Sequence, residues 1–141
     1  MAKERTDADQ QIRRVMLIDN EPAQCRLVAA LAAKAGWRTV FAHDSETAIA
    51  MLGTQEGMML DAIILDQWVP GDEAAELIRE LKSRRPALPI LMLTTSTSPL
   101  LAVEAMRAGA TDYLIKPIAP DRLVAALNAA ARKDDADELR P

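Results

Sequence analysis

Two carboxylates in this sequence each stand directly after a short apolar run. Asp19 follows the run at 15–18, and Asp66 follows the run at 62–65. Runs of this length and composition are typical of strands that are buried on both faces of a sheet. Because ligands of open parallel sheets bind at the carboxyl ends of the strands, both acids are candidate site residues. The alternative for Asp66 is an acid that only caps the following helix.

Two further polar side chains end apolar runs in the second half of the chain. Thr94 follows the run at 90–93, and Lys116 follows the run at 113–115. Carboxylates, a hydroxyl and a cation are the parts that phosphoryl transfer demands, together with a divalent ion. Oxygen ligands suit Mg²⁺, which keeps several waters and takes one or two carboxylates plus a phosphate. Taken alone, Lys116 is a solvated surface lysine and Thr94 an ordinary strand-end hydroxyl, so the prediction rests on their joint position.

Five short apolar runs alternate with five helical patterns, and these elements must position the polar side chains. Proline is favoured in a first helical turn, so Pro22 and Pro99 are predicted to begin helices. The apolar stripes of those two helices include Leu27, Val103 and Met106, which we expect to face the core. The predicted strands lie at 15–18, 39–42, 62–66, 90–93 and 113–115, and the predicted helices at 22–35, 45–52, 73–84, 99–108 and 120–132.

Alternation of strands and helices predicts one α/β domain, a doubly wound five-stranded parallel sheet with helices on both faces. Right-handed crossovers between parallel strands bring all strand carboxyl ends to one edge of the sheet. The polar residues expected to converge at that edge are Asp19, Asn20, Glu21, Asp66, Thr94 and Lys116.

Composition limits the classes of function. The chain has 141 residues and a net charge of −4 without a basic block, which argues against a nucleic-acid face. Its single cysteine, Cys25, excludes an intrachain disulfide, and no apolar run reaches the length of a membrane span. Because residues 1–12 lack the apolar run of a signal peptide, we expect a cytoplasmic protein. That segment is predicted to be a flexible leader, 13–132 the folded domain, and 133–141 an acidic flexible tail.

Over about residues 14–132, the chain resembles the receiver domain of bacterial two-component response regulators. The segments that carry the resemblance are the strand ending in Asp19-Asn20-Glu21-Pro22, the Leu-Asp-x-x-x-Pro-Gly segment ending at Gly71, the Met-Leu-Thr-Thr segment ending at Thr95, and Ala-Gly-Ala-Thr-Asp-Tyr-Leu-Ile-Lys-Pro at 108–117. The resemblance implies a flavodoxin-like sheet with strand order 2-1-3-4-5.

The resemblance also implies a role for each site residue. Asp66 would accept the phosphoryl group, Thr94 would be the switch hydroxyl, and Lys116 would bind the phosphate. Tyr113 would be the aromatic residue whose rotamer follows Thr94. The residues implied to hold Mg²⁺, or Mn²⁺ in its place, are Asp19, Asp66, Trp68 through its backbone carbonyl, and Asn20.

The chain departs from the family pattern directly after the first strand. The family usually has a second acid where this chain has Asn20, which offers a carbonyl oxygen but no charge. Glu21 is then either a compensating metal ligand or an acid at the start of the next helix, where it complements the helix dipole. The loop after Pro70 also lacks the second glycine that the family usually has.

The implied function is that of a receiver domain that takes a phosphoryl group from a histidine kinase or a histidine phosphotransfer protein. Such a domain catalyses its own phosphorylation and dephosphorylation but turns over no external substrate. Phosphorylation would switch the face formed by the fourth helix, fifth strand and fifth helix, which a downstream protein or a second copy would read.

Three alternatives follow from the same elements. A pseudo-receiver would keep the fold as a phosphate-independent interaction module, and Asn20 favours it, whereas Asp66, Thr94 and Lys116 argue against it. A phosphatase of the haloacid-dehalogenase type should have Asp-x-Asp after its first strand, where this chain has Asp19-Asn20-Glu21. A flavin carrier would need a hydroxyl-rich, glycine-containing phosphate loop directly after the first strand, and the sequence has none there.

Overall fold

The computed structural model describes residues 12–66, 74–95 and 97–138 of the chain. Within these residues, five strands alternate with five α-helices, and a short 3-10 helix precedes the third strand. The elements are β1 (Arg13–Ile18), α1 (Pro22–Lys34), β2 (Trp37–Ala42), α2 (Ser45–Leu52), the 3-10 helix (Gly57–Met59), β3 (Ala62–Asp66), α3 (Ala74–Arg84), β4 (Ile90–Thr94), α4 (Pro99–Ala108), β5 (Asp112–Ile115) and α5 (Pro120–Glu138).

The strands form one parallel sheet in the order β2-β1-β3-β4-β5, which confirms the predicted fold class and strand order. Every residue of β3 and β4 is buried. Burial on both faces is the reason that these strands read as uninterrupted apolar runs. Because all strands run in one direction, Asp66 and Thr94 end at the same edge of the sheet, beside Asp19 after β1.

Two apolar layers hold the helices against the sheet. Successive residues of a strand point to opposite faces. Met16 and Ile18 of β1 therefore join the layer beneath α2, α3 and α4, whereas Val15 and Leu17 join the layer beneath α1 and α5. The inner strands thus supply side chains to both layers, and this packing holds the polar residues at their carboxyl ends in place.

The predicted buried face of α4 was wrong. Val103 and Met106 are 46% and 47% exposed, and the residues of α4 that enter the core are Ala105 and Ala108. Small side chains let a helix approach its neighbours closely, so the alanine stripe faces the core and the larger apolar side chains face outward. The prediction for Leu27 of α1 was wrong in the same way, since that side chain is 47% exposed.

The last helix is longer than predicted. Helix α5 continues to Glu138, so the predicted end of the helix at residue 132 was too early, and 133–138 are helical. Residues 1–11, most of the predicted leader, and 139–141, the end of the predicted tail, lie outside the described residues. None of the helices in the described ranges has the length and apolar character needed to cross a membrane.

Candidate functional site

A part-buried ion pair lies at the centre of the carboxyl edge of the sheet. Asp66 is the last residue of β3 and is 5% exposed. Its Oδ2 accepts a hydrogen bond of 2.9 Å from Nζ of Lys116, which follows β5. The lysine side chain therefore reaches across the end of β4, from an edge strand to the middle of the sheet. Pairing neutralises a carboxylate whose isolated burial would be strongly unfavourable.

Asp19 stands beside this pair, one residue beyond the end of the neighbouring strand β1. Its side chain is almost fully buried, with the residue 1% exposed. Its backbone N–H donates to the Ala42 carbonyl at 3.0 Å, and its Oδ1 accepts from the Glu21 N–H at 3.0 Å. Its Oδ2 is buried and has no hydrogen-bond donor among the described residues. One oxygen of this carboxyl is thus buried without a described donor, in a group that interacts with Asp66.

The proton affinity of Asp19 reflects this environment. Burial is the largest cause that raises the pKa of its carboxyl from 3.8 to about 6. The Glu21 N–H and the Lys116 charge lower the pKa, whereas the Asp66 carboxylate raises it further. The two carboxylates therefore lie close enough to interact. Close carboxylates of this kind repel each other unless a proton or a cation lies between them.

The two residues after Asp19 do not add a third carboxylate to the site. Asn20 is exposed at the start of the loop. Glu21 uses its Oε1 to accept from the Ala23 N–H at 3.0 Å, as the N-cap of α1. Of the two interpretations of Glu21, the structure supports the acid at the helix start. Among the described residues there is no cluster of three or more His, Cys, Asp or Glu that could hold a metal ion.

The donor set nevertheless fits one hard divalent cation. Asp19 Oδ2 has no donor among the residues that the structure describes, and Asp66 offers a second carboxylate at the end of the neighbouring strand. Mg²⁺ is typically held by only one or two carboxylates and completes its shell with waters and phosphate oxygens. Asp19 and Asp66 would therefore hold it. The predicted carbonyl ligand, Trp68, lies outside the described residues.

Thr94 and Tyr113 occupy adjacent strands on one face of the sheet. Thr94 is fully buried at the end of β4, and its carbonyl accepts from the Lys116 N–H at 2.7 Å. In the β4–β5 register Thr94 pairs with Ile115 and Met92 pairs with Tyr113, so all four side chains point to the same face. Tyr113 is half-buried and packs against the core layer beneath α4. Thr94 and Tyr113 therefore lie on one face of the sheet, one strand apart.

Two residues contact the Asp19 carbonyl, although sequence reasoning assigned neither of them to the site and interpreted His43 as a surface or hydrogen-bonding residue. The Asp19 carbonyl oxygen lies 3.3 Å from His43 Nδ1 and 3.7 Å from the buried Cys25 Sγ. In the β1–β2 register Ile18 pairs with Ala42, so the next residues, Asp19 and His43, stand opposite each other. The predicted strand order and this register together were the signal that could have identified His43.

Comparison with known proteins identifies the family. The family model described as the response regulator receiver domain matches residues 15–128. This chain belongs to that family. Among curated relatives of the receiver domain, TrcR of Mycobacterium tuberculosis is 33% identical over 120 residues, 85% of this chain and 46% of its own length. FixJ of Bradyrhizobium diazoefficiens is 32% identical over 119 residues, 84% of this chain and 57% of its own length. ZraR of Salmonella typhimurium is 32% identical over 116 residues, 82% of this chain but only 26% of its own length.

Solved structures agree with the receiver fold. A response regulator receiver domain protein from Clostridium thermocellum superposes with a TM-score of 0.81 at 25% identity, covering 88% of this chain and 98% of that one. The signal receiver domain of an HD domain-containing protein from Pseudomonas fluorescens gives a TM-score of 0.83 at 21% identity, with 93% and 95% covered. The second likeness concerns the fold alone. The receiver domain spans about a quarter to just over half of the curated relatives named above.

Proposed function

We propose that this receiver domain accepts a phosphoryl group on Asp66 from a histidine kinase or a histidine phosphotransfer protein in a two-component system. The observation that carries the proposal is the part-buried Asp66–Lys116 pair, 2.9 Å long, with an Asp19 oxygen nearby that has no donor within the described part of the chain. A nucleophile, a cation and a vacant oxygen ligand at one sheet edge are the parts of a phosphoryl-transfer site.

The reaction breaks the P–N bond of a phosphohistidine and forms a P–O bond to an Asp66 carboxylate oxygen. The leaving imidazole nitrogen keeps the bonding electron pair. The acyl phosphate carries roughly two negative charges at pH 7 where Asp66 carried one. Lys116 is already within hydrogen-bond distance of Asp66 and would bind the phosphoryl oxygens through its ammonium group. The Thr94 hydroxyl would bind an equatorial phosphoryl oxygen. A divalent ion, Mg²⁺ or Mn²⁺, supplies charge neutralisation when bound by Asp19 and Asp66.

The proposed output surface is formed by α4, β5 and α5. It carries exposed apolar side chains that a partner would bury, namely Leu100, Val103, Met106 and Ile115, which are 76%, 46%, 47% and 45% exposed. Ile115 lies opposite Thr94 on the neighbouring strand, so this surface lies next to the residue that carries the proposed switch hydroxyl. A downstream protein or a second copy of the chain would bind there in the phosphorylated state.

The proposal of no direct nucleic-acid contact is limited to the receiver domain. The three relatives named above are called transcriptional regulatory proteins, and this chain spans only part of each. Net charge of −4 without a basic block supports the absence of a nucleic-acid face on this domain. A buried, free Cys25 agrees with the reducing cytoplasm that we propose as its location.

A phosphate-independent receiver is the second candidate function. It is favoured by the exposed Asn20 and by Glu21 serving as a helix cap, so that neither residue adds a carboxylate to Asp19 and Asp66. This pseudo-receiver would keep the α4–β5–α5 surface as a constitutive docking site. It predicts no covalent modification under any condition.

The two candidates are separated by incubating the chain with a small phosphoramidate donor and Mg²⁺ and measuring intact mass. We expect the mass of one phosphoryl group, which is absent in Asp66→Asn and in chelator. Asp61→Asn is the matched control, because Asp61 lies one residue before the opposite end of β3 and pairs with Arg13. An unmodified parent chain supports the pseudo-receiver, and a modification that persists in Asp66→Asn excludes Asp66 as the acceptor.

A further inference from the structure

The backbone of Asp19 is held from three sides. Its N–H donates to the Ala42 carbonyl at 3.0 Å. Its carbonyl oxygen is 3.3 Å from His43 Nδ1 and 3.7 Å from Cys25 Sγ. Asp19 lies one residue beyond the end of β1, so these contacts extend the β1–β2 pairing to the site residue itself.

We propose that His43 is a positioning residue for Asp19, and that it tunes the affinity of the site for a divalent cation. The inference rests on the proposed function of the site. A carbonyl oxygen can only accept, so His43 must carry its proton on Nδ1 when the two are hydrogen-bonded. A ring nitrogen is a better donor than a thiol, which makes His43 the principal side-chain partner of this carbonyl.

The position of the Asp19 carboxyl depends on this backbone. Its Oδ1 is bound to the Glu21 N–H two residues on, so rotation of the side chain is already restricted. What remains free is displacement of the strand end as a whole. The His43 contact, together with the Asp19 N–H bond to Ala42, resists that displacement and thereby sets where Oδ2 stands relative to Asp66 on β3.

The loop that carries His43 does not need this contact to keep its course. Asp44 caps α2 through a 2.7 Å bond from the Thr47 N–H, and Ala42 is fixed within β2. His43 itself is exposed. The loop keeps its course without His43, so the contact of His43 with the Asp19 carbonyl acts mainly on Asp19, the candidate metal ligand. Groups that orient metal ligands commonly affect metal affinity when they are removed.

The test measures Mg²⁺ binding directly, by calorimetric titration of the unphosphorylated chain, for the parent, His43→Ala and His43→Asn. Asparagine places an N–H donor close to the position of Nδ1, so it is the conservative rescue. We expect His43→Ala to raise the Mg²⁺ dissociation constant roughly three- to tenfold, the range of one neutral hydrogen bond. His43→Asn should restore most of the affinity. Arg38→Ala, an exposed change on β2, is the matched control and should titrate like the parent.

A second readout separates positioning from folding and from the chemistry of Asp66. The Mg²⁺ concentration for half-maximal phosphorylation should rise in His43→Ala, whereas the rate at saturating Mg²⁺ should stay near that of the parent. Phosphorylation of Asp66 with equal Mg²⁺ affinities in parent and His43→Ala would overturn the role of His43 alone. Equal weakening in His43→Ala and His43→Asn, or loss of thermal stability in both, would show a structural role instead. A parent chain that binds no Mg²⁺ would overturn this inference together with the metal requirement of the proposed function.

Discussion

Replacing Asp19 by asparagine should stabilise the receiver domain when divalent cations are absent. Burial and the Asp66 carboxylate raise the pKa of Asp19 to about 6, against 3.8 for the ordinary group. The folded state therefore keeps a proton on Asp19 between these pH values, while the unfolded chain releases it. Stability must fall as pH rises through this window, because the folded state binds more protons there than the unfolded state does.

The size of the effect follows from the same values. Each pKa unit corresponds to about 1.36 kcal/mol, so an ionised Asp19 lowers the free energy of unfolding by about 3 kcal/mol above pH 6. Asparagine is neutral at every pH, keeps an oxygen for the Glu21 N–H and places an N–H toward Asp66. We expect Asp19→Asn to approach this gain at pH 7.5, equivalent to a rise in Tm on the order of 10 °C.

Urea denaturation from pH 4 to pH 8 in chelator measures this difference. The parent and Asp19→Asn should have similar stability near pH 4 and should separate as pH rises to 6. Asp44→Asn is the control, because it removes a carboxylate at the same sheet edge but keeps the cap of α2. Added Mg²⁺ at about one hundred times its dissociation constant should stabilise only the parent, by about 2.7 kcal/mol, and close most of the gap. A variant no more stable than the parent at pH 7.5 would refute the assignment of Asp19 as a strained carboxylate.

Two further predictions concern the metal site and the output surface. Asn20→Asp should tighten Mg²⁺ binding in calorimetry by at least about tenfold, since one added charge near the cation is worth roughly a few kcal/mol before solvation offsets part of it; unchanged affinity would mean that position 20 lies outside the ligand shell. Addition of a phosphoryl mimic should change amide exchange in α4 and β5. The double variant Leu100→Ser with Met106→Ser should lose phosphorylation-dependent association, while its stability should stay nearly unchanged because both side chains are exposed. Exchange changes confined to α1 would argue against this surface.

The sheet and its polar edge were predictable because their sequence signal is local. A strand buried on both faces must be apolar throughout, and the first polar residue after it must lie at the strand end. Asp66, Thr94 and Lys116 were located in this way, and the 2.9 Å contact between Lys116 and Asp66 follows once β3, β4 and β5 are parallel neighbours.

The orientation of α4 was not predictable from apolar spacing. Two stripes compete on this helix: the larger side chains Val103 and Met106, and the smaller Ala105 and Ala108. Burial of the larger stripe would remove more apolar area from water, so the area argument alone selects the wrong face. Close packing of α4 against α3 and the sheet decides the outcome, and the larger stripe is left at the surface.

The number of acids in the site has a consequence for how cation and phosphoryl group influence each other. Asn20 is exposed and Glu21 is engaged at the start of α1. Among the residues that the structure describes, Asp19, Asp66 and Lys116 are then the charged groups brought together here, with one net negative charge when both acids are ionised. A receiver with a third acid would attract a divalent cation more strongly before any phosphoryl group arrives. Here most of that attraction must come from the acyl phosphate, which adds about one negative charge at Asp66. Cation binding and phosphorylation should therefore be strongly coupled in this domain, and since coupling between two bound groups is reciprocal, the cation should stabilise the phosphorylated state more than it stabilises the resting one.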